Sequence, residues 1–287
     1  MDFKNINIVN KIEIVLLIQS FGDLVIALNF FNLRKIYIAH RSLRPLITAM
    51  GYEKNFIFFG KSREIFPLYD LKNSFFSIFR FKEVFYLREI IKNNVNNVNI
   101  NTITIPKIRL INFICLGLNV KFENDRKYDE NIYKWWGRTS KVRMKKKEFI
   151  HQQKKTILIF PDSRVKSKII KLENITLIKS FLKKYDFKLK VCHFGKTYKN
   201  FEQLIYLIKS SSIIFSSDSL PLHLAYFYQI VHIALYNNEM NKEFLSPFSK
   251  KNNIFIENID LLSNQKINTK LTKIFEHNIF KNNFVRG

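Results

Sequence analysis

The fold class follows most directly from residues 211–236, which read SSIIFSSDSLPLHLAYFYQIVHIALY. An apolar run at residues 213–215 ends in a polar cluster at residues 216–219. A short helical pattern follows, and a second apolar run, Val231–Tyr236, closes the segment. This order predicts a strand, a polar loop, a helix and another strand, which together form the βαβ unit of a parallel sheet.

The helix of this segment is expected to begin near Ser219, because Pro221 suits a first turn, where a missing N–H has no cost. A helix start presents backbone N–H groups and the positive end of the helix dipole, and both suit a phosphate or a nucleotide. Asp218 and Ser219 stand at that position. The alternative is an ordinary strand-to-helix turn, in which Asp218 or Ser219 acts only as an N-cap.

Strands and helices are predicted to alternate through the rest of the chain, which indicates an α/β protein with parallel sheets. Gly51 is expected to close the second helix, because glycine readily adopts the backbone angles that follow a helix end. The chain after Tyr236 is predicted to be irregular until a closing helix. The further predicted strands are residues 12–18, 36–39, 56–59, 157–160 and 189–194, and the further helices are residues 24–33, 42–50, 172–185, 200–209 and 270–280.

Two domains fit the length of 287 residues, since about 150 residues per domain is usual. Hydrophobic residues make up 47% of the chain, which is enough for two cores. A charged stretch around residues 141–155 is typical of a solvated linker. We therefore predict one domain at residues 1–148 and a second at residues 149–287.

The chain is strongly basic, with 48 Lys and Arg against 23 Asp and Glu and a net charge of +25. Part of this excess fits a general bias toward Lys, Asn, Ile, Phe and Tyr, which A/T-rich codons alone would produce. The remainder is consistent with an anionic partner, such as a nucleotide diphosphate, a phosphorylated glycolipid or a membrane surface. No RNA- or DNA-binding signature is present, so nucleic acid is not expected; a nucleic-acid-binding protein stays an alternative supported by charge alone.

The cysteines and the N-terminal sequence indicate in which cellular compartment the protein is expected. Cys115 and Cys192 lie far apart among apolar neighbours, outside any metal or redox spacing, and are expected to be reduced core residues. The first residues have no signal-peptide pattern, and no apolar run reaches the roughly 18 residues of a membrane-spanning helix. We expect a cytoplasmic protein, with peripheral contact at the inner face of the cytoplasmic membrane as a further expectation.

Residues 216–225 follow the pattern Ser-x-Asp-Ser-x-Pro-x-His-Leu-Ala. This pattern resembles the nucleotide-sugar loop of the lipopolysaccharide heptosyltransferase family, glycosyltransferase family 9. The resemblance extends over residues 12–247. It implies a GT-B-like fold, in which two Rossmann-like domains face a central cleft. The N-terminal domain would bind the acceptor, and the C-terminal domain, which ends in the closing helix, would bind the nucleotide sugar.

The segment at residues 19–23, QSFGD, resembles the family's Ser-x-x-Gly-Asp motif. The resemblance implies that Asp23 is the catalytic base. Gly22 can adopt backbone angles that other residues avoid, which would allow close approach of the acceptor. The alternative is that Asp23 only caps the helix that follows.

Two segments of the second domain resemble the family's donor site. The loop after strand 157–160 would bind the donor diphosphate through a hydroxyl and cations, because charge-assisted hydrogen bonds to phosphate are strong. A solvated basic loop is the alternative. The family's Asp-Ser/Thr-Gly-x-x-His pattern adds three further residues, although its histidine could equally be satisfied within the fold. The implied donor-binding residues are Ser163, Arg164, Lys168, Asp218, Ser219 and His223.

The chain departs from the family's pattern at two places. Leu220 stands where the family has a glycine, and the Gly-Pro-Thr-like segment is replaced by Asn237, Asn238 and Glu239. The bulkier Leu220 side chain bears on how closely a phosphate can approach the backbone. These departures motivate a second hypothesis, a catalytically degenerate relative that binds a nucleotide sugar without transferring it.

The acceptor is expected to contact a basic aromatic segment at residues 75–88 through Arg80 and Lys82. Such a segment suits an anionic, lipid-linked saccharide or an anionic leaflet, and a core helix with cations at its edge is the alternative. The resemblance implies an inverting glycosyltransferase with an ADP-heptose-like donor and a lipopolysaccharide-type or other cell-surface acceptor. No Asp-x-Asp metal pair is found, so we expect neither a metal nor another cofactor.

Overall fold

The computed structural model describes residues 12–17, 20–33, 35–59, 98–101, 120–122, 155–237, 245–256 and 261–276. The chain divides into two compact units, the first made of Met1–Leu24 and Phe31–Lys127, the second of Val25–Phe30 and Tyr128–Gly287. Each unit contains one five-stranded parallel sheet. The predicted α/β class with parallel sheets is thereby confirmed. The predicted boundary between residues 148 and 149 lies outside the described residues and stays a prediction.

The sheet of the first unit has the strand order β3–β2–β1–β4–β5. The order reverses beside β1, because the chain continues to β2 on one side and β4 lies on the other. The strands are β1 (Ile12–Leu17), β2 (Ile36–His40), β3 (Phe56–Phe59), β4 (Val98–Asn101) and β5 (Val120–Phe122).

The helices of this part of the chain differ from the predicted bounds at their starts. Helix α1 is Phe21–Leu28, three residues earlier than predicted and five residues shorter at its end. The predicted helix at residues 42–50 is a 3-10 turn, Arg41–Leu43, followed by helix α2, Arg44–Ala49. A proline in the first turn of α2 explains this break, because its ring would clash with the carbonyl four residues earlier in a longer α-helix. Gly51, with φ of +82°, ends α2 as predicted.

The sheet of the second unit has the order β10–β9–β8–β6–β7. Its strands are β6 (Thr156–Phe160), β7 (Lys188–Val191), β8 (Ile213–Ser217), β9 (Val231–Tyr236) and β10 (Asn253–Phe255). Its helices are α3 (Leu172–Leu182), α4 (Phe201–Lys209), α5 (Leu220–Phe227), α6 (Pro247–Lys251) and α7 (Leu261–Lys273).

Helices cover both faces of the second sheet. One face packs its isoleucines and Phe215 against α3 and α7, in a core that includes Ile178 and Phe275. Helix α5 contacts β8, β9 and α4. Every residue of β8 and β9 is buried, as expected for strands of a parallel sheet that is covered on two sides. The sheet is therefore accessible to a ligand at the ends of its strands.

The prediction of an irregular chain after Tyr236 is wrong. Helix α6 and strand β10 lie in this region, and the closing helix α7 begins at Leu261 rather than at residue 270. β10 has three residues, which is too short for a strand pattern to be visible in the sequence. Helix α7 is polar apart from a narrow apolar stripe that includes Ile267 and Leu271, so its first half resembles a loop in composition.

Candidate functional site

The candidate site of the second unit lies at the carboxyl ends of β6 and β8. These neighbouring strands mark the point where the strand order reverses, since β7 lies beyond β6 and β9 lies beyond β8. Ligands of open parallel sheets bind outside the strand ends at such a point. The loop after β6 and the turn after β8 are the two segments for which donor binding was predicted, and the sheet brings them side by side.

Lys168 and Asp218 join these two segments. The Lys168 Nζ lies 2.5 Å from Asp218 Oδ2, although the residues are 50 positions apart in the sequence. The other carboxylate oxygen, Oδ1, lies 3.4 Å from His223 Nε2. The side chain of Asp218 is 4% exposed, whereas that of Lys168 is 23% exposed. Lys168 is thus the member of this cluster whose side chain is most exposed to solvent.

Burial and two neighbouring side chains determine the charge of Asp218. Burial alone raises its pKa, because a buried carboxylate loses the water that stabilises its charge. The hydrogen bonds and electrostatic interactions with His223 and Lys168 together lower the pKa by more than burial raises it. The pKa of Asp218 therefore lies below its ordinary value, and the group is a carboxylate at neutral pH. A lysine ammonium has three N–H donors, so it can contact this carboxylate and an anionic ligand at the same time.

The turn after β8 begins helix α5 as predicted. Ser219 occupies the N-cap position and Pro221 lies in the first turn. No side chain makes a capping hydrogen bond there; the Ser219 Oγ lies 3.1 Å from the Ser216 Oγ. Ser219 is thus the N-cap residue by position, as the alternative has it, and donor binding by Asp218 and Ser219 stays a prediction. Leu220, which replaces the family's glycine, is the first residue of α5.

His223 lies within α5 and is almost fully buried. Its contact with Asp218 agrees with the alternative in which the fold itself satisfies this histidine. In that position it helps to hold the carboxylate that pairs with Lys168. A direct contact between His223 and a donor stays a prediction.

The loop after β6 ends in a 3-10 turn, Lys166–Lys168, which carries the paired lysine. Ser163 Oγ accepts a hydrogen bond from the Val165 N–H at 3.2 Å, so this hydroxyl shapes the loop. The Arg164 side chain is exposed. Donor binding by Ser163 and Arg164 stays a prediction.

Two residues that were not predicted as site residues connect the loops at this edge of the sheet. Asp162 Oδ1 lies 2.9 Å from His193 Nδ1, and its Oδ2 accepts a hydrogen bond from the Phe194 N–H at 3.0 Å. Asn237 Nδ2 donates to the backbone carbonyls of Ser167 and Ile169, at 2.7 and 3.3 Å. Both residues are polar and follow the end of a strand, which is the same signal that selected Asp218.

The predicted catalytic residue lies in the helix that follows β1, a strand beside the reversal point of the first sheet. Asp23 is in the first turn of α1, and its Oδ2 accepts hydrogen bonds from the Ser20 hydroxyl at 3.0 Å and the Ser20 N–H at 3.2 Å. The Asp23 N–H donates back to Ser20 Oγ at 3.3 Å. This reciprocal pattern is a capping box, and it agrees with the capping alternative for Asp23.

Gly22 lies inside α1, so the unusual backbone angles expected of it are not adopted. The predicted loop at residues 19–23 is in this respect wrong, because the capping box begins the helix at Phe21. The catalytic role of Asp23 and the acceptor role of Gly22 stay predictions. Arg80 and Lys82, the other predicted acceptor-binding residues, lie outside the described residues.

The part of the chain that the structure describes bears on the predictions made for cysteines, metal ions and membrane-spanning helices. Cys192 is a free, buried thiol whose pKa is raised to about 11 by burial, as expected for a core cysteine; Cys115 lies outside this part. No three His, Cys, Asp or Glu side chains there are arranged to hold a metal ion. None of the helices described has the length and apolar character needed to cross a membrane.

No protein-family model and no curated protein matches the sequence, whereas several solved structures match the fold. The heptosyltransferase WaaC from E. coli, solved with ADP, has a TM-score of 0.60 and 10% identity, and covers 93% of this chain and 99% of its own. A family 9 glycosyl transferase from Veillonella parvula has a TM-score of 0.53, 12% identity and coverage of 93% and 91%. The ADP-heptose lipopolysaccharide heptosyltransferase II from E. coli has a TM-score of 0.52, 13% identity and coverage of 92% and 98%.

These similarities extend over most of each chain at low sequence identity. They confirm, at the level of the fold, the resemblance to heptosyltransferases that was inferred from the motif at residues 216–225.

Proposed function

We propose that this protein is a glycosyltransferase that moves a sugar from an ADP-heptose-like donor to a lipopolysaccharide-type or other cell-surface saccharide. The observation that carries the proposal is the contact between Lys168 and Asp218 at the reversal point of the second sheet. It joins the two segments whose sequence resembles the donor site of the heptosyltransferases. The likeness of fold to enzymes solved with ADP supports the same assignment.

The donor diphosphate would lie at the carboxyl ends of β6 and β8. Lys168 would contact its oxygens while Asp218 and His223 hold the ammonium group in place. Ser163, Arg164 and Ser219 would supply further donors from the two loops. Charge-assisted hydrogen bonds of this kind stabilise both the bound diphosphate and the negative charge that develops on it as it leaves.

Transfer would be a direct displacement with inversion. The two Rossmann-like domains would face a cleft, in which Asp23 lies near the acceptor hydroxyl. That hydroxyl oxygen attacks the anomeric carbon and its proton passes to the Asp23 carboxylate. The bond from the anomeric carbon to the diphosphate oxygen breaks, and the diphosphate leaves with the electron pair. Lysine and arginine side chains would balance its charge, so the reaction would not need a metal ion.

The acceptor would bind to the first unit. Gly22, Arg80 and Lys82 would bind an anionic, lipid-linked saccharide. An acceptor in the membrane would bring a cytoplasmic enzyme to the inner face of the cytoplasmic membrane. The large positive charge of the chain would favour this contact, because that surface is anionic.

The donor site can be tested by titrating ADP into the protein by calorimetry, with EDTA present. We expect Lys168→Met to weaken ADP binding by about 10- to 100-fold, the value of a hydrogen bond to a charged group. Lys166→Met is the matched control, because Lys166 belongs to the same turn and is exposed. Lys168→Arg, which keeps the charge beside Asp218, should retain more of the affinity than Lys168→Met.

Equal loss of ADP affinity in the Lys168 and Lys166 variants would contradict a specific donor site and indicate general charge attraction. Thermal unfolding of each variant separates lost affinity from lost folding. A wild-type protein that does not bind ADP or ADP-heptose would overturn the proposed function.

A second candidate is a nucleotide-sugar-binding protein without transferase activity. Leu220 at the first position of α5 favours it, because a side chain there replaces the glycine of the family's phosphate loop. A radiolabelled transfer assay with ADP-heptose and a lipopolysaccharide core acceptor distinguishes the two. Binding without transfer supports the second candidate, and gain of transfer in Leu220→Gly would identify Leu220 as the cause.

A further inference from the structure

We propose that Asn237 is a positioning residue that fastens the turn carrying Lys168 and thereby places the ammonium group for the donor diphosphate. The inference rests on the proposed function and deepens it. Asn237 stands at the start of the segment that departs from the family's Gly-Pro-Thr-like pattern. In the structure, Asn237 contacts the turn that carries Lys168.

The amide of Asn237 bonds to the backbone on both sides of Lys168. Its Nδ2 donates to the carbonyl of Ser167 at 2.7 Å and to the carbonyl of Ile169 at 3.3 Å. A primary amide nitrogen carries two N–H groups, so one side chain can bond to both carbonyls. The two carbonyls are 70 and 68 residues away in the sequence, so this contact links the end of β9 to the loop after β6.

Backbone hydrogen bonds also hold the turn, and directly after it the Ile170 N–H donates to the Pro161 carbonyl at 3.0 Å. Within it, the Lys168 N–H donates to the Val165 carbonyl at 2.9 Å and the Ile169 N–H donates to the Lys166 carbonyl at 3.2 Å. Single 3-10 turns are weakly held by their own hydrogen bonds. Most of this turn is exposed, and the next buried residue is Ile170. Asn237 therefore adds a side-chain contact to the carbonyls of the residues on both sides of the lysine.

Fixing the backbone matters because a lysine side chain is long and flexible. An ammonium group that is already restricted to one place loses less conformational freedom when it binds a phosphate. Asp218 restricts the tip of the Lys168 side chain, and Asn237 restricts the backbone from which it extends. Together these two contacts determine where the positive charge stands before the donor arrives.

The test compares Asn237→Ala and Asn237→Asp with the wild-type protein. The aspartate variant has nearly the same shape but cannot donate to either carbonyl. Thr269→Ala is the matched control, because it removes a surface hydrogen bond from a side chain to the Gln265 carbonyl on α7. Two readouts are used, amide hydrogen exchange of residues 166–170 and the dissociation constant of ADP.

We expect faster exchange of residues 166–170 and a roughly 10-fold weaker affinity for ADP in both Asn237 variants. In the Lys168→Met background, Asn237→Ala should cause no further loss of ADP affinity, because Asn237 acts through Lys168. Asn237→Gln, which keeps the amide, should recover part of the affinity. Thr269→Ala should change neither readout.

Unchanged exchange of residues 166–170 in both variants would overturn the proposal, whether or not ADP binds. An equal loss of affinity with and without Lys168 would also overturn it, since the role would then be general to the fold. A wild-type protein that fails to bind ADP contradicts the proposed function instead, and the exchange experiment still decides whether Asn237 holds the turn.

Discussion

Asp23 and Asp218 each come after a strand that borders the reversal of strand order in its sheet, and their side chains are held in different ways. Asp23 exchanges hydrogen bonds with Ser20, three residues away, whereas Asp218 pairs with Lys168, 50 residues away. Helix capping accounts for the hydrogen bonds between Asp23 and Ser20. The second brings charges from two loops into a buried place, which costs desolvation and is not explained by local structure.

A second ion pair of the same length shows what burial adds. Lys155 Nζ lies 2.5 Å from Asp186 Oδ2, with side chains 70% and 91% exposed. Exposed pairs of this kind contribute little to stability. The Lys168–Asp218 pair differs in burial, in its third member and in its position at strand ends. These differences, rather than the distance itself, support the proposal that the pair belongs to a donor site.

The largest expected effect comes from Asp23→Asn. The amide oxygen of asparagine can still accept the hydrogen bond from the Ser20 N–H, so the helix cap is largely kept. A general base contributes about 10²- to 10⁴-fold to a rate, and we expect the heptosyl transfer rate to fall by this factor. The measurement is the single-turnover rate with saturating donor and acceptor.

Urea unfolding provides the control for this variant. Asp23→Asn should remain close to wild type, whereas Asp23→Ala should lose about 1 kcal/mol of unfolding free energy through the lost cap. A transfer rate that is unchanged in Asp23→Asn would show that Asp23 is a cap and nothing more.

Asp218→Ala should have the largest effect on folding. Removing one member of a buried pair costs about 3 kcal/mol, because the remaining charge loses this contact in a partly desolvated place. We expect a clear decrease of the urea midpoint for the second unit. Asp186→Ala, which removes an ion pair of equal length at the surface, should leave the midpoint unchanged. Equal effects of the two substitutions would refute the distinction between the buried and the exposed pair.

The contribution of Asp218 to the free energy of unfolding should decrease as the pH is lowered below about 4. Its pKa in the folded protein lies below the ordinary value of 3.8. A carboxyl group with a lowered folded-state pKa binds its proton more readily in the unfolded chain, so it stabilises the fold above the unfolded pKa. The stability difference between wild type and Asp218→Asn should therefore be constant near pH 5 and decrease below pH of about 4.

Urea unfolding at a series of pH values from 6 to 3 measures this difference. Asp23→Asn is the comparison variant. A difference between wild type and Asp218→Asn that grows as the pH falls would have the wrong sign and would contradict the charged state assigned to Asp218.

Ser163→Ala should have the smallest effect. The Ser163 hydroxyl has a local partner, the Val165 N–H, within a site that is otherwise built from distant residues. If it also contacts the diphosphate, the substitution should weaken ADP binding about fivefold, the value of one neutral hydrogen bond. Calorimetry measures this change. An ADP affinity equal to wild type would assign Ser163 to loop structure alone.

The elements that the sequence predicted well are those whose pattern is local. β3 and β9 have the predicted bounds, and α4 ends at the predicted residue and begins one residue later than predicted, with Asn200 as its N-cap, whose side chain accepts from the Gln203 N–H. β10 and the first half of α7 were missed, because a three-residue strand and a mostly polar helix are stabilised by tertiary packing that leaves little periodic signal.

In the candidate site, too, single residues could be predicted from local sequence, whereas contacts between distant segments could not. Asp218 and Lys168 could be selected individually, since each follows a predicted strand and matches a motif. Their pairing could not be selected, because it depends on β6 and β8 being neighbours in the sheet. Asn237 was visible only as a departure from a family pattern. Its role depends on the path of the loop after β6, which no local pattern specifies.

Because Lys168 and Asp218 are 50 residues apart in the sequence, a nucleotide that binds both would also stabilise the protein against unfolding and proteolysis. Their pair exists only once β6 and β8 stand side by side, so a ligand that requires both residues binds the folded unit and not the unfolded chain. Such a ligand at 100 times its dissociation constant adds about 2.7 kcal/mol to the free energy of unfolding. In a cell depleted of the nucleotide, a larger share of the chains would be unfolded and open to proteolysis. The abundance of the protein would then follow the concentration of its own substrate.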